Sequence, residues 1–341
     1  MSSELIEENR TAPMRSLTGM QIVATGSYVP AGVVTNEDLH ARLGFDPAWI
    51  VQRTGIRERR EAPPDMATSD MAVLAARQCL ERAGAKPQDV DLVLVGTFTP
   101  DMSFPATACL VQNQLGIRAP AVDLQAACAG FMYAFVIGAQ FIGTGNSKLA
   151  LIIGADCNSR ILNPKDQQTY PLFGDGAGAV LLAAGGADQG LISYTLGSDG
   201  SGGDLLCRRM GGSRLPFAAG LLDEGYQYLQ MDGRSVFKWA VRLLDESISA
   251  VLKEAKLAPG DIDLVVLHQA NVRIIYAATD VLGIDRQRVF INLDRYGNTS
   301  AGSIPLALDE ACQQGRIRRG DNILVSGFGA GLAWGTAVLR W

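Results

Sequence analysis

The residue of this sequence best placed for nucleophilic chemistry is Cys128. It follows an apolar strand candidate at residues 121–124 and opens an uncharged apolar stretch that runs to residue 142. The start of a helix carries partial positive charge, so the sequence predicts a thiolate that forms more readily than that of a free cysteine, whose pKa is about 8.5. Covalent catalysis is therefore one hypothesis for Cys128, and burial as a small apolar side chain is the alternative.

A histidine and an asparagine occupy comparable positions later in the chain. His268 directly follows the apolar run 264–267, and Asn298 lies in the glycine-flanked sequence Gly-Asn-Thr-Ser-Ala-Gly at 297–302. A histidine at a strand end can exchange a proton or donate to developing charge. Taken alone, His268 could equally be a hydrogen-bonded core residue, and Asn298 could be a helix N-cap.

The other cysteines and the glycine motifs give weaker indications. No two cysteines form a Cys-x-x-Cys pair and the chain has only 2 histidines, so neither a zinc ribbon nor a disulfide framework is indicated. Residues 174–179 match a dinucleotide-binding pattern, but a strand candidate rather than a helix follows them. Residues 327–331, Gly-Phe-Gly-Ala-Gly, could turn backbone amides toward a reacting oxygen, with a tight structural turn as the alternative.

An internal repeat places these residues relative to one another. A helix, an Asp-x-Asp pair and an apolar strand occur in this order around Asp91 and again around Asp263, an offset of 172 residues. At that offset the counterpart of Cys128 lies two positions from Asn298. The two halves would face each other across a pseudo-twofold axis. We therefore expect Cys128, His268 and Asn298 to converge on one opening.

The strand candidates are continuous runs of Val, Ile and Leu flanked by helical stretches. This pattern is typical of strands buried on both faces of a mostly parallel sheet. The sequence thus predicts an α/β fold with two mostly parallel mixed sheets, and the weakly charged stretches that start at 127 and 300 are expected to be buried central helices. We divide the chain into a mobile tail at residues 1–19, an N-terminal half at 20–190 and a C-terminal half at 191–341.

Composition limits the class of protein. With 48% hydrophobic and 19% charged residues among 341, the chain has the make-up of a globular protein rather than of a disordered, fibrous or disulfide-rich one. No apolar run reaches the roughly 18 residues of a membrane span, and the N-terminal stretch lacks the apolar part of a signal peptide. The net charge of -5 argues against nucleic-acid binding. We therefore expect a cytoplasmic protein that binds neither nucleic acid nor membrane.

Four motifs together resemble one enzyme family. They are Ala-Ala-Cys-Ala-Gly-Phe at 126–131, His-Gln-Ala-Asn at 268–271, and the glycine-containing motifs at 297–302 and 327–331. In this order and spacing they resemble the 3-oxoacyl-[acyl-carrier-protein] synthase III family, the condensing enzymes that initiate bacterial fatty-acid synthesis. The likeness runs from about residue 20 to residue 341 and implies a thiolase-type fold, which is a duplicated αβαβα layered arrangement.

The resemblance implies a Cys-His-Asn site for a decarboxylative Claisen condensation. Cys128 would accept the acyl group of a short, acetyl-CoA-like acyl-CoA as a thioester. Malonyl-[acyl carrier protein] would then lose carbon dioxide, with His268 and Asn298 stabilising the enolate, and the carbanion would attack the acyl-cysteine. Backbone amides of Cys128 and Ala330 would hold the oxyanion. The chemistry implies no metal and no cofactor, since acyl-CoA is a substrate.

The same likeness implies how the substrates bind. Trp49 and Arg53 correspond to positions that grip CoA, one by stacking on adenine and the other by pairing with phosphate. Gly233 and Asn271 would line the pantetheine tunnel.

Three further positions concern protein partners. In a homodimer, Phe104 would reach across the interface to shape the acyl pocket of the other subunit. Lys238 and Arg273 match positions that hold the acidic carrier protein, with a solvated salt-bridge surface as the alternative.

Two positions depart from the family pattern. Gln167 stands where well-known members have an arginine that closes over the adenine, and Phe45 stands where a small hydroxyl residue is common. Losing a cationic stacking partner would weaken nucleotide binding by about 0.5–2 kcal/mol. The donor could therefore be a longer acyl-CoA or a carrier-bound acyl group.

Two alternatives to this activity stay open at the level of sequence. One is an enzyme of the same fold in a secondary-metabolite pathway, which uses a different acyl donor or delivers the acyl group to oxygen or nitrogen. The other is a non-catalytic partner subunit, which would not need Cys128.

Overall fold

Continuous apolar runs form the central strands of the protein. The computed structural model describes residues 14–341. The strands are β1 (Arg15–Thr18), β2 (Met20–Tyr28), β3 (Gly32–Thr35), β4 (Glu58–Glu61), β5 (Leu92–Gly96), β6 (Ala121–Leu124), β7 (Leu149–Asp156), β8 (Gly176–Ala184), β9 (Gly190–Ser198), β10 (Leu206–Cys207), β11 (Gln230–Met231), β12 (Leu264–Leu267), β13 (Asn322–Gly329) and β14 (Ala333–Arg340).

Several helices begin or end at residues that cap them. They are α1 (Asn36–Leu43), α2 (Pro47–Thr54), α3 (Thr68–Ala83), α4 (Thr107–Leu115), α5 (Gly130–Gly143), α6 (Gly233–Ala255), α7 (Val272–Val281), α8 (Leu293–Tyr296) and α9 (Ser303–Gln313). Thr35 and Asp38 form a reciprocal capping box at the start of α1. Gly84 ends α3 with a φ of 62°, a left-handed conformation that glycine adopts without strain.

Two five-stranded sheets form the two halves, in the orders β2-β8-β7-β5-β6 and β1-β9-β14-β13-β12. The expectation of mostly parallel pairing is wrong. In the described part of the chain, only the pairs β5–β6, β5–β7 and β12–β13 of these sheets are parallel. The apolar runs indicate that both faces of the strands are buried. They do not indicate strand direction, because strands in antiparallel pairs can be buried on both faces as well.

The second sheet repeats the order of the first. Strands β2, β8, β7 and β5 correspond to β9, β14, β13 and β12, and the first residues of β5 and β12, Leu92 and Leu264, lie at the offset found in the sequence. The place of β6 is taken in the second half by a single parallel bridge between Val265 and Val289.

Five layers result from this duplication. Helices α5 and α9 lie between the two sheets, in a core cluster that contains Phe135 and Leu308 from the helices and Ile152 and Val325 from the strands. Helices α3 and α4 cover the outer face of the first sheet, and α6 and α7 cover that of the second. This is the αβαβα arrangement with buried central helices that the resemblance implies.

The start of the described chain differs from the expected tail. Strand β1 pairs antiparallel with β9, with Thr18 opposite Gly190, and Leu17 packs against the central core. The prediction of a mobile tail at residues 1–19 is therefore wrong for this strand, because backbone pairing fixes it at a sheet edge. Residues 1–13 of that prediction lie outside the described residues. Among residues 14–341, no helix combines the length and the apolar character that crossing a membrane requires.

Candidate active site

Cys128 lies in a tight bend between β6 and α5. The short 3-10 helix Ala127–Ala129 joins the strand to α5, and Ala127 has a φ of 47°, in the left-handed region that alanine rarely adopts. Gly329 allows β13 to approach closely, since a Cβ atom there would come within 2.7 Å of the Cys128 backbone nitrogen. These contacts hold Cys128 at the start of α5 with 5% of its surface exposed.

The second half has an equivalent bend that carries Asn298. The 3-10 helix Ser300–Gly302 precedes α9, and Ser300 has a φ of 52°. Asn298 Oδ1 accepts a hydrogen bond from the Ser300 backbone N–H at 2.8 Å. The Asn298 backbone N–H donates to the Leu172 carbonyl, and its carbonyl accepts from the Gly174 N–H. With Oδ1 engaged, the side-chain NH2 is the group that Asn298 can offer to a ligand.

His268 follows β12 and is held by the start of α9. Its Nδ1 lies 2.7 Å from Ser303 Oγ, and the ring of Phe328 meets the imidazole edge-on with centroids 5.2 Å apart. Ser303 Oγ also accepts from the Gln269 backbone N–H, so its own hydrogen can point to Nδ1, which favours the tautomer with the hydrogen on Nε2. Burial lowers the pKa of His268 to about 3, and the ring is therefore neutral at pH 7.

Cys128, His268 and Asn298 line one narrow cavity of about 90 Å³. Both halves contribute to its other walls, which are largely apolar and include Leu172, Phe173, Leu206, Met231, Val236, Phe237, Ile274 and Phe328. The repeat thus brings a thiol, a neutral imidazole and a carboxamide to a common space, as the sequence predicts. Within residues 14–341, no group of three His, Cys, Asp or Glu side chains is placed to hold a metal ion.

Burial dominates the electrostatics of Cys128. Loss of hydration raises the pKa of its thiol to about 12, the nearby Asp156 carboxyl adds to the rise, and a hydrogen bond with Ser300 opposes it. This direction opposes the expectation of an easily formed thiolate, because desolvation disfavours the charged form of the sulfur that the helix start would favour. Attack by this sulfur then includes removal of the thiol proton.

Asp156, at the end of β7, links the loop after β5 to the start of the second central helix. It accepts hydrogen bonds from the loop after β5, including Thr99 Oγ1 at 2.7 Å, and from the Ala301 backbone N–H at 3.0 Å. Burial raises the pKa of Asp156 to about 6, although these hydrogen bonds favour its ionised form. The neighbouring Asn158 accepts from the Ser300 hydroxyl at 2.9 Å. These bonds fix the start of the second helix against the first half.

A wider cavity of about 1040 Å³ meets the narrow one at Cys128. Cys128, Phe173 and Leu206 line both cavities. Ala330, whose backbone amide is a predicted oxyanion donor, lines the wide cavity with Cys128. The wide cavity therefore offers the thiol a space into which an attached acyl chain can extend.

The predicted nucleotide-binding residue Trp49 lines a surface cleft. Phe45 and Gln167, the two positions that depart from the family pattern, line the same cleft, together with Asp46, Ile50 and Pro171. No cationic side chain of the described residues is among these walls. The structure thus brings both departures to the place where the resemblance puts the adenine.

The predicted tunnel residues lie at the narrow cavity. Gly233 and Asn271 both line it. Asn271 Nδ2 donates to the backbone carbonyl of Arg53 at 3.0 Å, and Arg53 itself is exposed. The narrow cavity and the segment that follows Trp49 are therefore joined by a direct hydrogen bond.

The residues predicted to contact proteins are exposed. Arg273 and Lys238 are both on the surface, and the Arg273 guanidinium lies 5.5 Å from the ring centroid of Phe237, which lines the narrow cavity. Phe104 is 84% exposed, the largest exposed fraction among the exposed large hydrophobic side chains of residues 14–341.

Sequence reasoning missed three residues that position this site, Ser303, Asp156 and Ser300. Asp156 had a usable signal, because it ends an apolar strand and polar residues follow it, as at His268. Ser303 had none, because serine near a helix start is an ordinary cap. The repeat marks position 300 as the counterpart of Cys128 but gives Ser300 no positioning role, because its hydrogen bonds depend on the fold.

Two family models match the chain. The one described as 3-oxoacyl-[acyl-carrier-protein (ACP)] synthase III matches residues 122–200, which include Cys128. The one described as the C terminal of the same synthase matches residues 252–341, which include His268 and Asn298. Among curated proteins, the β-ketoacyl-[acyl-carrier-protein] synthase III of Rhodopirellula baltica is 54% identical over 346 residues, covering 96% of this chain and 100% of that protein.

Solved structures agree with these sequence matches. The 3-oxoacyl-[acyl-carrier-protein] synthase III of Aquifex aeolicus is 41% identical with a TM-score of 0.86, covering 95% of this chain and 100% of that one. The β-ketoacyl-[acyl carrier protein] synthase III of Thermus thermophilus is 44% identical with a TM-score of 0.87, covering 94% of this chain and 98% of that one. The fold is therefore shared along almost the whole chain.

Proposed function

The chain belongs to the 3-oxoacyl-[acyl-carrier-protein] synthase III family, and we propose that Cys128, His268 and Asn298 carry out its chemistry. The protein is an acyltransferase of the condensing type that joins an acyl-CoA to malonyl-[acyl carrier protein] at the start of fatty-acid synthesis. The observation that supports the residue roles is the single narrow cavity lined by all three side chains.

Cys128 attacks the thioester carbonyl of the acyl-CoA from the start of α5. Its sulfur bonds to the acyl carbon, the bond from that carbon to the CoA sulfur breaks, and the proton of the Cys128 thiol leaves with the CoA thiol. During attack the carbonyl oxygen carries negative charge, which the backbone amides of Cys128 and Ala330 stabilise. The acyl chain extends into the wide cavity that these two residues line.

His268 and Asn298 act on the second substrate. The malonyl thioester loses carbon dioxide, and the electron pair of the broken bond moves into an enolate whose oxygen receives hydrogen bonds from His268 Nε2 and Asn298 Nδ2. The enolate carbon then attacks the acyl carbon, the bond to the Cys128 sulfur breaks, and a proton from water restores the thiol. A neutral imidazole suits this role, because it donates a hydrogen bond without adding a buried charge.

A pair of assays tests this assignment. Incubation with acetyl-CoA is expected to add one acetyl group, which peptide mapping places on Cys128, and later addition of malonyl-[acyl carrier protein] is expected to release carbon dioxide and a 3-oxoacyl product. Acetylation without carbon dioxide release would instead support transfer to an oxygen or nitrogen nucleophile. No adduct with any acyl-CoA would support a non-catalytic partner subunit.

We propose that the cleft lined by Trp49 and Gln167 receives the adenine of CoA, with Arg53 near its phosphates. The substitution Gln167→Arg is then expected to lower the KM for acetyl-CoA, because a guanidinium can stack on the base. A stacking gain of about 0.5–2 kcal/mol corresponds to a KM lower by about 2-fold to 30-fold. Steady-state kinetics of the acylation half-reaction measures the change.

The control for this prediction uses a donor without the nucleotide. Acetyl-pantetheine lacks the adenine, so its KM should be the same in the original protein and in Gln167→Arg. The exposed neighbour Gln168 does not line the cleft, and Gln168→Arg should leave both KM values unchanged. An equal gain for acetyl-CoA in both variants would show that added positive charge rather than stacking is responsible. An equal gain with both donors in Gln167→Arg would show that the substitution acts without contacting the nucleotide.

We propose that two copies of the chain form a homodimer through the β6 edge. Val122 on this edge strand is 47% exposed, and the nearby Met102 and Phe104 are 47% and 84% exposed. Ser103 lines the wide cavity together with the end of β6, so the two segments lie close to one another. An unpaired strand edge beside exposed apolar side chains favours association, and Phe104 would then reach the wide cavity of the other subunit.

Analytical ultracentrifugation tests the homodimer. The original protein is expected to sediment as a species of twice the chain mass, and Val122→Lys is expected to shift it toward the monomer because a charge would be buried at the edge. Val33→Lys serves as the matched control, since Val33 is 43% exposed on a different sheet. A fully active monomer of the original protein would contradict the proposal.

We propose that Lys238 and Arg273 hold the acyl carrier protein. Both are exposed beside the narrow cavity, so an acidic partner bound there could deliver its thioester to Cys128. This local basic surface would allow a chain with a net charge of -5 to bind an acidic protein.

We also propose that the halves 20–190 and 191–341 descend from one duplicated unit. We propose further that the enzyme acts in the cytoplasm without a cofactor.

A further inference from the structure

Arg59 is a buried arginine whose hydrogen-bond partners are all neutral. It is 1% exposed. Its Nη1 donates to the Val34 carbonyl at 3.0 Å, and its Nη2 donates to Asn36 Oδ1 at 2.8 Å and to the Pro171 carbonyl at 2.7 Å. Its Nε has no hydrogen-bond partner within residues 14–341. Burial lowers the pKa of Arg59 to about 10, opposed mainly by Glu61, so the guanidinium is charged at pH 7.

A buried charge of this kind is costly for folding. Removing an ion from water costs several kcal/mol, and hydrogen bonds to neutral oxygens offset only part of that cost. An apolar side chain of similar volume would avoid the desolvation of the guanidinium. Stability alone therefore does not explain why an arginine occupies this position of β4.

The aliphatic part of Arg59 lies against the backbone that carries Asn298. Cβ atoms added at Gly174 or at Gly297 would each lie 3.2 Å from the Cβ atom of Arg59. Gly174 belongs to the segment that pairs with Asn298, since the Asn298 N–H donates to the Leu172 carbonyl at 2.8 Å and the Gly174 N–H donates to the Asn298 carbonyl at 3.0 Å. Arg59 therefore packs against both backbone segments that are joined here, at Gly174 and at Gly297.

The guanidinium of the same residue contacts the wall of the nucleotide cleft. Pro171 lines that cleft together with Trp49 and Gln167, and its carbonyl is one of the acceptors of Arg59. Residues 171–174 thus run from the cleft wall to the backbone partner of Asn298. Arg59 contacts this segment at both ends, through its guanidinium at one end and its Cβ atom at the other.

We propose that Arg59 is a positioning residue that fixes segment 171–174, and through it both the Asn298 carboxamide and the wall of the nucleotide cleft. Arg59 lines neither the narrow cavity nor the cleft, so it acts only through the residues that it holds. The inference rests on the proposed role of Asn298 in decarboxylation. It adds a structural link between binding of the CoA nucleotide and the position of the Asn298 carboxamide during decarboxylation.

The test separates the two half-reactions in Arg59→Met and Arg59→Lys. Met removes the donors and the charge but keeps a long side chain, and Lys keeps the charge without the planar set of donors. Both variants are expected to decarboxylate malonyl-[acyl carrier protein] about 10-fold to 100-fold more slowly, since small displacements of a catalytic group have effects of this size. The KM for acetyl-CoA is expected to rise, whereas acylation of Cys128 by acetyl-pantetheine should be largely unchanged.

The acylation by acetyl-pantetheine reports whether each variant is folded. The matched control is Arg77→Met, an exposed arginine on α3, the helix that covers the outer face of the first sheet. This control should keep both half-reactions and the KM for acetyl-CoA. If acylation and decarboxylation fall by the same factor in both Arg59 variants, Arg59 acts only in folding and the inference is overturned.

Asn298→Ala, assayed in parallel, separates two cases: failure of the positioning role of Arg59, and failure of the proposed role of Asn298 in decarboxylation. If Asn298→Ala still decarboxylates normally, the role of Asn298 is wrong and the inference falls with it. If Asn298→Ala loses decarboxylation while both Arg59 variants keep it, only the positioning role of Arg59 is refuted. Slower decarboxylation in all three variants, with acylation by acetyl-pantetheine retained, supports both.

Discussion

Replacement of Cys128 by alanine is expected to abolish formation of the acyl-enzyme. The rate of the overall condensation should fall by about 10⁴-fold or more, the scale seen when the nucleophile of a catalytic set is removed. The fold should persist, because the smaller alanine side chain fits the tight bend formed with Gly329. Intact-protein mass spectrometry after incubation with acetyl-CoA would then show no added acetyl group.

A second cysteine provides the control for this experiment. Cys312 lies on α9, and burial raises the pKa of its thiol to about 11, so it is a thiol of similar acidity in another place. Cys312→Ser should acquire one acetyl group at the same rate as the original protein. An acetyl group on Cys128→Ala, mapped to any other residue, would mean that a different nucleophile starts the reaction.

The duplicated architecture could be predicted because each copy carries the same order of apolar runs. Equal runs at β5 and β12 are enough to place the halves beside each other. Strand direction could not be predicted in this way. The apolar pattern indicates which faces of a strand are covered. The first seven residues of β8 are as fully buried between two antiparallel neighbours as β5 is between two parallel ones.

The site could be predicted in part for the same reason. Strand ends and helix starts fix the positions of Cys128, His268 and Asn298, and these depend on elements that the sequence reveals. The pKa of Cys128 depends instead on how many atoms enclose it, which only the packed structure shows. Arg59 was not identified because its contact with Pro171 joins residues 112 positions apart, and no local sequence pattern predicts such a contact.

Replacement of His268 or Asn298 by alanine is expected to remove decarboxylation while leaving acylation intact. Each side chain would donate one hydrogen bond to the enolate oxygen, and loss of such a donor costs about 10²-fold to 10³-fold in rate. Acylation uses the Cys128 sulfur and backbone amides, which neither substitution removes. Release of carbon dioxide from malonyl-[acyl carrier protein], and mass spectrometry of the acetyl-enzyme, measure the two steps separately.

The matched controls are the other histidine and a distant asparagine. His40 is exposed on α1, and Asn322 starts β13 at the end of the strand farthest from Gly329, so His40→Ala and Asn322→Ala should keep both steps. Equal loss of acylation and decarboxylation in the His268 and Asn298 variants would contradict the division of roles.

The pH dependence of decarboxylation tests the neutral state of His268 independently of any substitution. Burial lowers the pKa of this imidazole from its usual value to about 3, so the ring is uncharged throughout the range around pH 7. The rate of carbon dioxide release should therefore not fall as the pH rises through the usual histidine pKa of about 6.5, and a rise near pH 6 would belong to ionisation of Asp156. If His268 instead acted as a cation, the rate would fall as the pH rises through its pKa. Absence of such a fall, together with the loss in His268→Ala, would identify the imidazole as a neutral hydrogen-bond donor to the enolate.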